Sequence, residues 1–235
     1  MAWLCALVYF AHGYENSERS DSQMKDLIII GAGGFGREVL EIALDIQEQM
    51  PNVGWRVKGF ITDIQGDFCK KNTLGYEIVG DIAHHEILNN NVYAFAIANI
   101  DFKIKITNSF MQQGAQFATL IHPSAIIGRT VKIGRGSIIS PKVNITCDAE
   151  IGEFVRIGSG TSIGHDVIIE DYSVVSGTCG INGYAKIEKG AFLGSHAVIC
   201  PHATVGEFAT VGAGSVVLRK VKNNAHVFGV PAKRI

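Results

Sequence analysis

The chain carries almost no net charge: 21 lysines and arginines against 22 aspartates and glutamates leave −1 at neutral pH. It has no basic block, which argues against a nucleic-acid partner or an anionic membrane surface. Five cysteines, at positions 5, 69, 147, 179 and 200, form no C-x-x-C pair and no Cys/His group with zinc spacing. Neither a disulfide framework nor a metal site is therefore expected, and unpaired thiols suit a reducing compartment, the cytoplasm. The apolar stretch from Met1 to Ala11 is too short to span a bilayer, and no lysine or arginine precedes it. Polar residues Glu15 to Asp21 follow, and Met24 stands directly before a first strand. Residues 1–23 accordingly read as a leader outside the fold, with a secretory signal as the alternative.

Of the 235 residues, 47% are hydrophobic and 18% charged, as in a compact globular protein. Leu27 to Ile30 is a short, fully apolar run suited to a buried parallel strand. Gly31-Ala32-Gly33-Gly34-Phe35-Gly36 follows, and Arg37 to Gln49 has helical periodicity. A strand, glycine-rich turn and helix in this order can bring a phosphate to the free N–H groups of a helix N-terminus. The same glycines can also serve only to pack helix on strand. Val57 to Ile61 reads as a second strand ending near Asp63, at a plausible ribose-binding distance from the first glycine. Val92 to Ala98 and Phe102 to Gln113 read as a further strand and helix. Fewer than 100 residues lie between Met24 and the next feature. That leaves room for one mononucleotide half, a Rossmann-like half domain over 24–118, and argues against a nicotinamide dehydrogenase.

From Ile121 the sequence falls into seventeen hexads whose first residues, Ile121 to Val217, are all aliphatic. The fifth residue is Ala, Val, Ser, Thr or Cys throughout, and the second is often glycine. Each hexad is a short strand plus a corner, with the aliphatic residue inward and the small residue at the inner corner. One hexad cannot bury its apolar side chain, but stacked coils share a continuous core. Three hexads per coil give between five and six coils, a prism roughly 25–30 Å tall. The expected all-β domain is a parallel β-helix over 119–222, followed by a C-terminal tail over 223–235. Cys179 takes an inward position and reads as an apolar filler.

These uninterrupted hexads resemble the left-handed β-helix of hexapeptide-repeat acyltransferases. Residues 24–235 further resemble the sialic acid O-acetyltransferase and bacillosamine-type sugar-nucleotide N-acetyltransferase family. The resemblance rests on the glycine-rich turn, Gly59-Phe60-Ile61-Thr62-Asp63, Ile163-Gly164-His165-Asp166 and the closing Gly229-Val230-Pro231-Ala232-Lys233-Arg234. It implies acetyl-CoA as cosubstrate, a sugar-nucleotide acceptor, and a homotrimer with active sites between neighbouring prisms.

Acetyl transfer from a thioester needs a base for the attacking amine or hydroxyl and a donor for the developing oxyanion. Histidine suits the base because its ordinary pKa lies near neutrality. His165 occupies the third place of its hexad, an outward corner, and Asp166 beside it could hold the imidazole tautomer. The resemblance makes His165 the general base and Asp166 its partner. Gly183, one coil of 18 residues further on, should stack on His165; the resemblance gives its N–H the oxyanion role. It also assigns coenzyme contacts to Val174, Gly183, Ser195 and Ala213, and acceptor contacts to Gly33, Gly34, Phe35, Thr62, Asp63 and Ala98. Three positions depart from the family pattern: Phe35 stands where members often carry histidine, Val174 where some carry a coenzyme-contacting histidine, and Gly158 where some carry a polar residue. His196 and His202 read as structural or surface groups. Two other readings remain: a small-molecule transferase of serine O-acetyltransferase type, whose N-terminal domain would be helical, and a non-catalytic β-helix scaffold.

Overall fold

A computed structural model describes residues 24–63 and 73–235. The readings placed on residues 1–23 and on Cys69 lie outside the described residues. The first unit runs β1 (Lys25–Ile30), α1 (Gly34–Gln49), β2 (Trp55–Ile61), β3 (Ile78–Gly80), β4 (Asn91–Phe95) and α2 (Ile100–Gln112). Its four parallel strands lie in the order β3-β2-β1-β4. Alternation along β1 sends Leu27 and Ile29 against α1, with Val39, Leu40 and Ala43. Ile28 and Ile30 face the other side, where Phe110 of α2 packs. The two helices thus lie on opposite sides of the sheet, and the strand order reverses between β1 and β4; nucleotides bind at the carboxyl ends of strands at such a point in open α/β sheets. The short strand β3 has no apolar run of its own and was not legible as a strand.

From Leu120 onward the chain winds into a left-handed parallel β-helix with three faces. Face one is an eight-stranded sheet and faces two and three have six strands each. Partners stand 18 residues apart: Ile157 pairs with Ile139 and Val175, Ile163 with Ile145 and Ile181, Ile169 with Ile151 and Ile187. The aliphatic first residues and small fifth residues form one unbroken core from Val131 to Val227.

Two details differ from the expected hexad. Second-place glycines are required by stacking and not by turn geometry: a Cβ on Gly164 would lie 2.7 Å from the backbone N of Gly183. The left-handed φ falls on the fourth place, taken without glycine by Asp148, Asp166, Tyr172, Tyr184 and His202 among others. The repeat also tightens at its end. Thr204 pairs with Lys220 and Val205 with Val221, because Leu218 and Arg219 make a two-residue corner in place of four. Stacking then continues past residue 222: His226–Phe228 adds a parallel strand to face one and Lys233–Arg234 pairs antiparallel with it.

The first unit sits on face one and on the corner between faces three and one. A ladder of rings, Tyr93, Phe117, Phe154 and Tyr172, runs through the junction at centroid spacings of 6.0, 5.0 and 5.4 Å. Arg156 from face one lies 3.7 Å over the Phe35 ring and ion-pairs with Glu38 at 3.0 Å. His122, buried in the first coil, meets Asp45 of α1 at 2.8 Å, so it is a structural crosslink. Among the described residues no helix is long and apolar enough to cross a membrane.

Candidate active site

His165 and Asp166 stand on the corner between faces two and three. The imidazole Nδ1 and Asp166 Oδ2 are 2.8 Å apart, and the two side chains are 53% and 42% exposed. Asp166 takes the left-handed fourth place, φ 56°, which turns its carboxylate back to its neighbour. With Nδ1 committed to the carboxylate, Nε2 is left to accept a proton. Gly183 stacks one coil on, as its spacing predicts. A Cβ there would come within 2.8 Å of both Cε1 and Nε2 of His165, so only glycine lets the ring lie where it does. Among the described residues no acceptor meets the Gly183 N–H. One corner therefore presents an imidazole, a carboxylate hydrogen-bonded to it and a free N–H donor within a coil of each other.

The other expected coenzyme positions do not join them. Ser195 and Ala213 occupy the corner between faces one and two, at the opposite end of face two. A side of about six extended residues separates the two corners by roughly 15–20 Å. Val174 belongs to neither corner: it is an outward strand residue of face one, 4% exposed, on the side that the first unit covers. Burial removes it from a coenzyme lying on a corner, and its aliphatic side chain suits that interior. Cys179 points inward, 2% exposed, and burial pushes its thiol up, against any role as a nucleophile.

The expected acceptor positions all follow the carboxyl ends of β1, β2 and β4. Gly33 is the N-cap of α1 and no side-chain oxygen caps that end. A Cβ on Gly33 or Gly34 would meet nothing within 4 Å. Gly31 and Gly36 are different: Cβ atoms there would fall 2.6 Å from Ile97 Cγ1 and 2.0 Å from Gly31 O. The turn thus has two packing glycines and two that leave open room before the helix. Phe35 supports Arg156. Thr62 is buried behind the strand end. Asp63 Oδ1 accepts from the amides of Ile82 at 2.7 Å and Ala83 at 3.2 Å, so it anchors the loop after β3. Ala98 lines an open cleft of about 540 Å³ with Asn99, Phe192, Phe208 and Thr210. Sequence reasoning missed these two phenylalanines and Arg156; all three sit at corner or outward strand places, which the hexad pattern leaves unspecified. No group of three or more metal-ligating side chains occurs among the described residues.

The PglD N-terminal domain family matches residues 26–110, and the bacterial transferase hexapeptide family matches residues 184–219. The GDP-perosamine N-acetyltransferase of Escherichia coli O157:H7 is 30% identical over 172 residues, spanning 73% of this chain and 76% of the relative. Among solved structures, PerB from Caulobacter crescentus in complex with CoA and GDP-perosamine superposes with a TM-score of 0.81 at 26% identity, over 92% of this chain and all of that one. The acetyltransferase domain of PglB from Neisseria gonorrhoeae FA1090 shares the fold, with a TM-score of 0.81 at 24% identity over 90% of this chain and all of that one. The chain is a hexapeptide-repeat acetyltransferase and belongs to the family of the sialic acid O-acetyltransferases and bacillosamine-type sugar-nucleotide N-acetyltransferases.

Proposed function

We propose that this enzyme transfers the acetyl group of acetyl-CoA to the amino group of a nucleotide-activated amino sugar. The observation that carries the reading is the His165–Asp166 pair stacked on the free Gly183 N–H. His165 Nε2 takes the proton as the amine attacks the thioester carbonyl carbon. The Gly183 N–H donates to the oxyanion that forms. Collapse breaks the carbon–sulfur bond, and the imidazolium returns a proton to the departing CoA thiolate. Asp166 holds the tautomer and stabilises the imidazolium. The acceptor's phosphates take the open end of α1 at Gly33 and Gly34, and its remaining groups extend toward Thr62, Asp63 and Ala98. An amino-sugar acceptor is supported by the relatives, which act on or bind GDP-perosamine.

The working enzyme in this reading is a trimer. Face two carries outward Asn144, Ser162, Gly180, Val198 and Val216, with no charge. Face three carries the ion pairs Lys132–Glu150 and Lys186–Glu170, each at 2.7 Å, and suits water. Three copies turning face two toward a common axis set the His165 corner of one beside the Ser195 and Ala213 corner of the next. That heterologous contact closes as a ring. The unpaired Cys147, Cys179 and Cys200 suit the cytoplasm.

The test is thiol release from acetyl-CoA with UDP-, GDP- and dTDP-linked amino sugars. At least one should give release with an N-acetylated product. Release with none of them, together with no acetyl-CoA binding by calorimetry, would leave a scaffold protein instead.

A further inference from the structure

His165 is held by little. The one hydrogen bond of its ring goes to a carboxylate that is itself 42% exposed, and its own side chain is 53% in solvent. A ring tethered at one nitrogen can still turn, because its outer torsion is broad. Catalysis needs one orientation, with Nε2 on the side of the Gly183 N–H.

The second restraint comes from the same corner, one and two coils on. The Tyr184 ring meets the imidazole edge-on, with centroids 5.0 Å apart and planes at 87°. Tyr184 in turn lies parallel to His202, at 4.9 Å and 2°. Both take the left-handed fourth place with φ 61°, so the corner backbone fixes the direction of each side chain. The backbone ties the column together as well: Tyr184 N donates to His165 O at 3.1 Å and His202 N to Gly183 O at 3.2 Å. The fourth places earlier in this column carry Thr130, Asp148 and Asp166; only here does it change to rings. Tyr184 keeps 52% of its surface exposed, so burial does not account for its placement.

We propose that Tyr184 is a positioning residue for His165, with His202 stacked behind it as its support. An edge-to-face pair favours one relative orientation of the two rings. That preference selects the imidazole plane which Gly183 permits and Asp166 alone does not enforce. The proposal rests on the reading of His165 as the base.

Tyr184→Asn is the informative change, because asparagine accepts the left-handed φ and leaves the corner intact. It should lower kcat by about tenfold, the scale of an aromatic pair expressed as a rate. KM for acetyl-CoA and the melting temperature should stay unchanged. Tyr184→Phe should restore the rate, since the ring and not the hydroxyl makes the contact. His202→Asn should give a smaller loss of the same kind. In a His165→Ala background, Tyr184→Asn should add nothing, because the two act as one unit. Normal kcat in Tyr184→Asn, an equal loss in Tyr184→Phe, or a change confined to KM would each overturn the proposal. If His165→Ala alone kept its activity, the base reading would fall first. If it lost activity while Tyr184→Asn did not, only the positioning role would be lost.

Discussion

Two corners of the same prism have opposite characters. The corner between faces two and three is built from side chains that do chemistry: Cys147, His165, Asp166, Tyr184 and His202. The corner between faces one and two is the barer: Ser159, Gly160, Gly177, Ser195, Ala213 and Gly214 stand there, with Lys142, Thr178 and His196 as its larger side chains. Both arise from the same hexad and the same backbone, so the difference is not imposed by the fold. A reactive corner needs a neighbour thin enough to let a long coenzyme lie against it, and the bare corner has that shape. Within one chain the two are separated by the width of face two. On the proposed trimer reading, each copy holds both halves of a site and a neighbouring copy joins them.

The strongest way to break this comparison is to remove the chemistry from one corner only. His165→Ala should lower turnover roughly 10²–10⁴-fold while the melting temperature holds, since the side chain is more than half exposed and lies outside the core. Asp166→Asn should lose less. Sharpening the comparison requires both corners at once. Ala213→Trp should obstruct the bare corner of its own copy and leave His165 intact. Each variant alone should be inactive, and refolding them together should regain about a quarter of wild-type turnover, the share of junctions in a random ring that pair two sound corners. No recovery on mixing would mean that each copy works alone. Gly183→Ala comes next: its Cβ would displace the His165 ring, and kcat should fall roughly 10–100-fold without unfolding.

The periodicity made most of this legible. A repeat of six with three faces fixes which residues stack, so the meeting of His165 with Gly183 follows from their spacing of 18. The same arithmetic separates Ser195 and Ala213 from His165 by a face and sets Val174 in a strand, although family resemblance alone groups all four. What could not be read was whatever depends on contacts across the two units. Nothing local marks Arg156 as the residue that would cross to Phe35 and Glu38, or His122 as a link to Asp45. The shortened corner at Leu218 and Arg219 was hidden for another reason. Val221 is aliphatic and satisfies the small fifth place of a regular hexad as well as the inward strand place it actually takes. The glycine-rich turn was ambiguous between packing and binding, and it divides: Gly31 and Gly36 pack, Gly33 and Gly34 do not.

That division gives a smaller, cleaner effect away from both corners. A Cβ on Gly34 meets nothing within 4 Å, so Gly34→Val has room to start from, and a β-branched residue at a helix start is a minor penalty. Its KM for the sugar nucleotide should rise about tenfold through crowding of the phosphates, against an unchanged affinity for acetyl-CoA. Calorimetry showing both affinities fall together would remove the separation between an acceptor domain and a coenzyme corner. No change in either would make the whole turn a packing device.

The third corner, between faces three and one, is neither reactive nor bare, because it carries the first unit. Lys103 of α2 is 4% exposed there and donates to the Phe154 carbonyl at 3.1 Å. Burial, with the nearby Arg156 guanidinium, pushes its ammonium down to about 8. The unfolded chain would hold that proton to about 10.4. Below pH 8 both states are protonated, and the folded protein bears the full penalty of a buried charge. Between pH 8 and 10.4 the unfolded state binds more protons than the folded one, so stability contributed at this site rises with pH. Wild type should therefore gain on Lys103→Met by about 1 kcal/mol between pH 7 and pH 9, read as the difference in urea unfolding. A difference that stays flat over that range would mean that Lys103 keeps its charge in the folded protein, with an anion or water reaching the junction to support it.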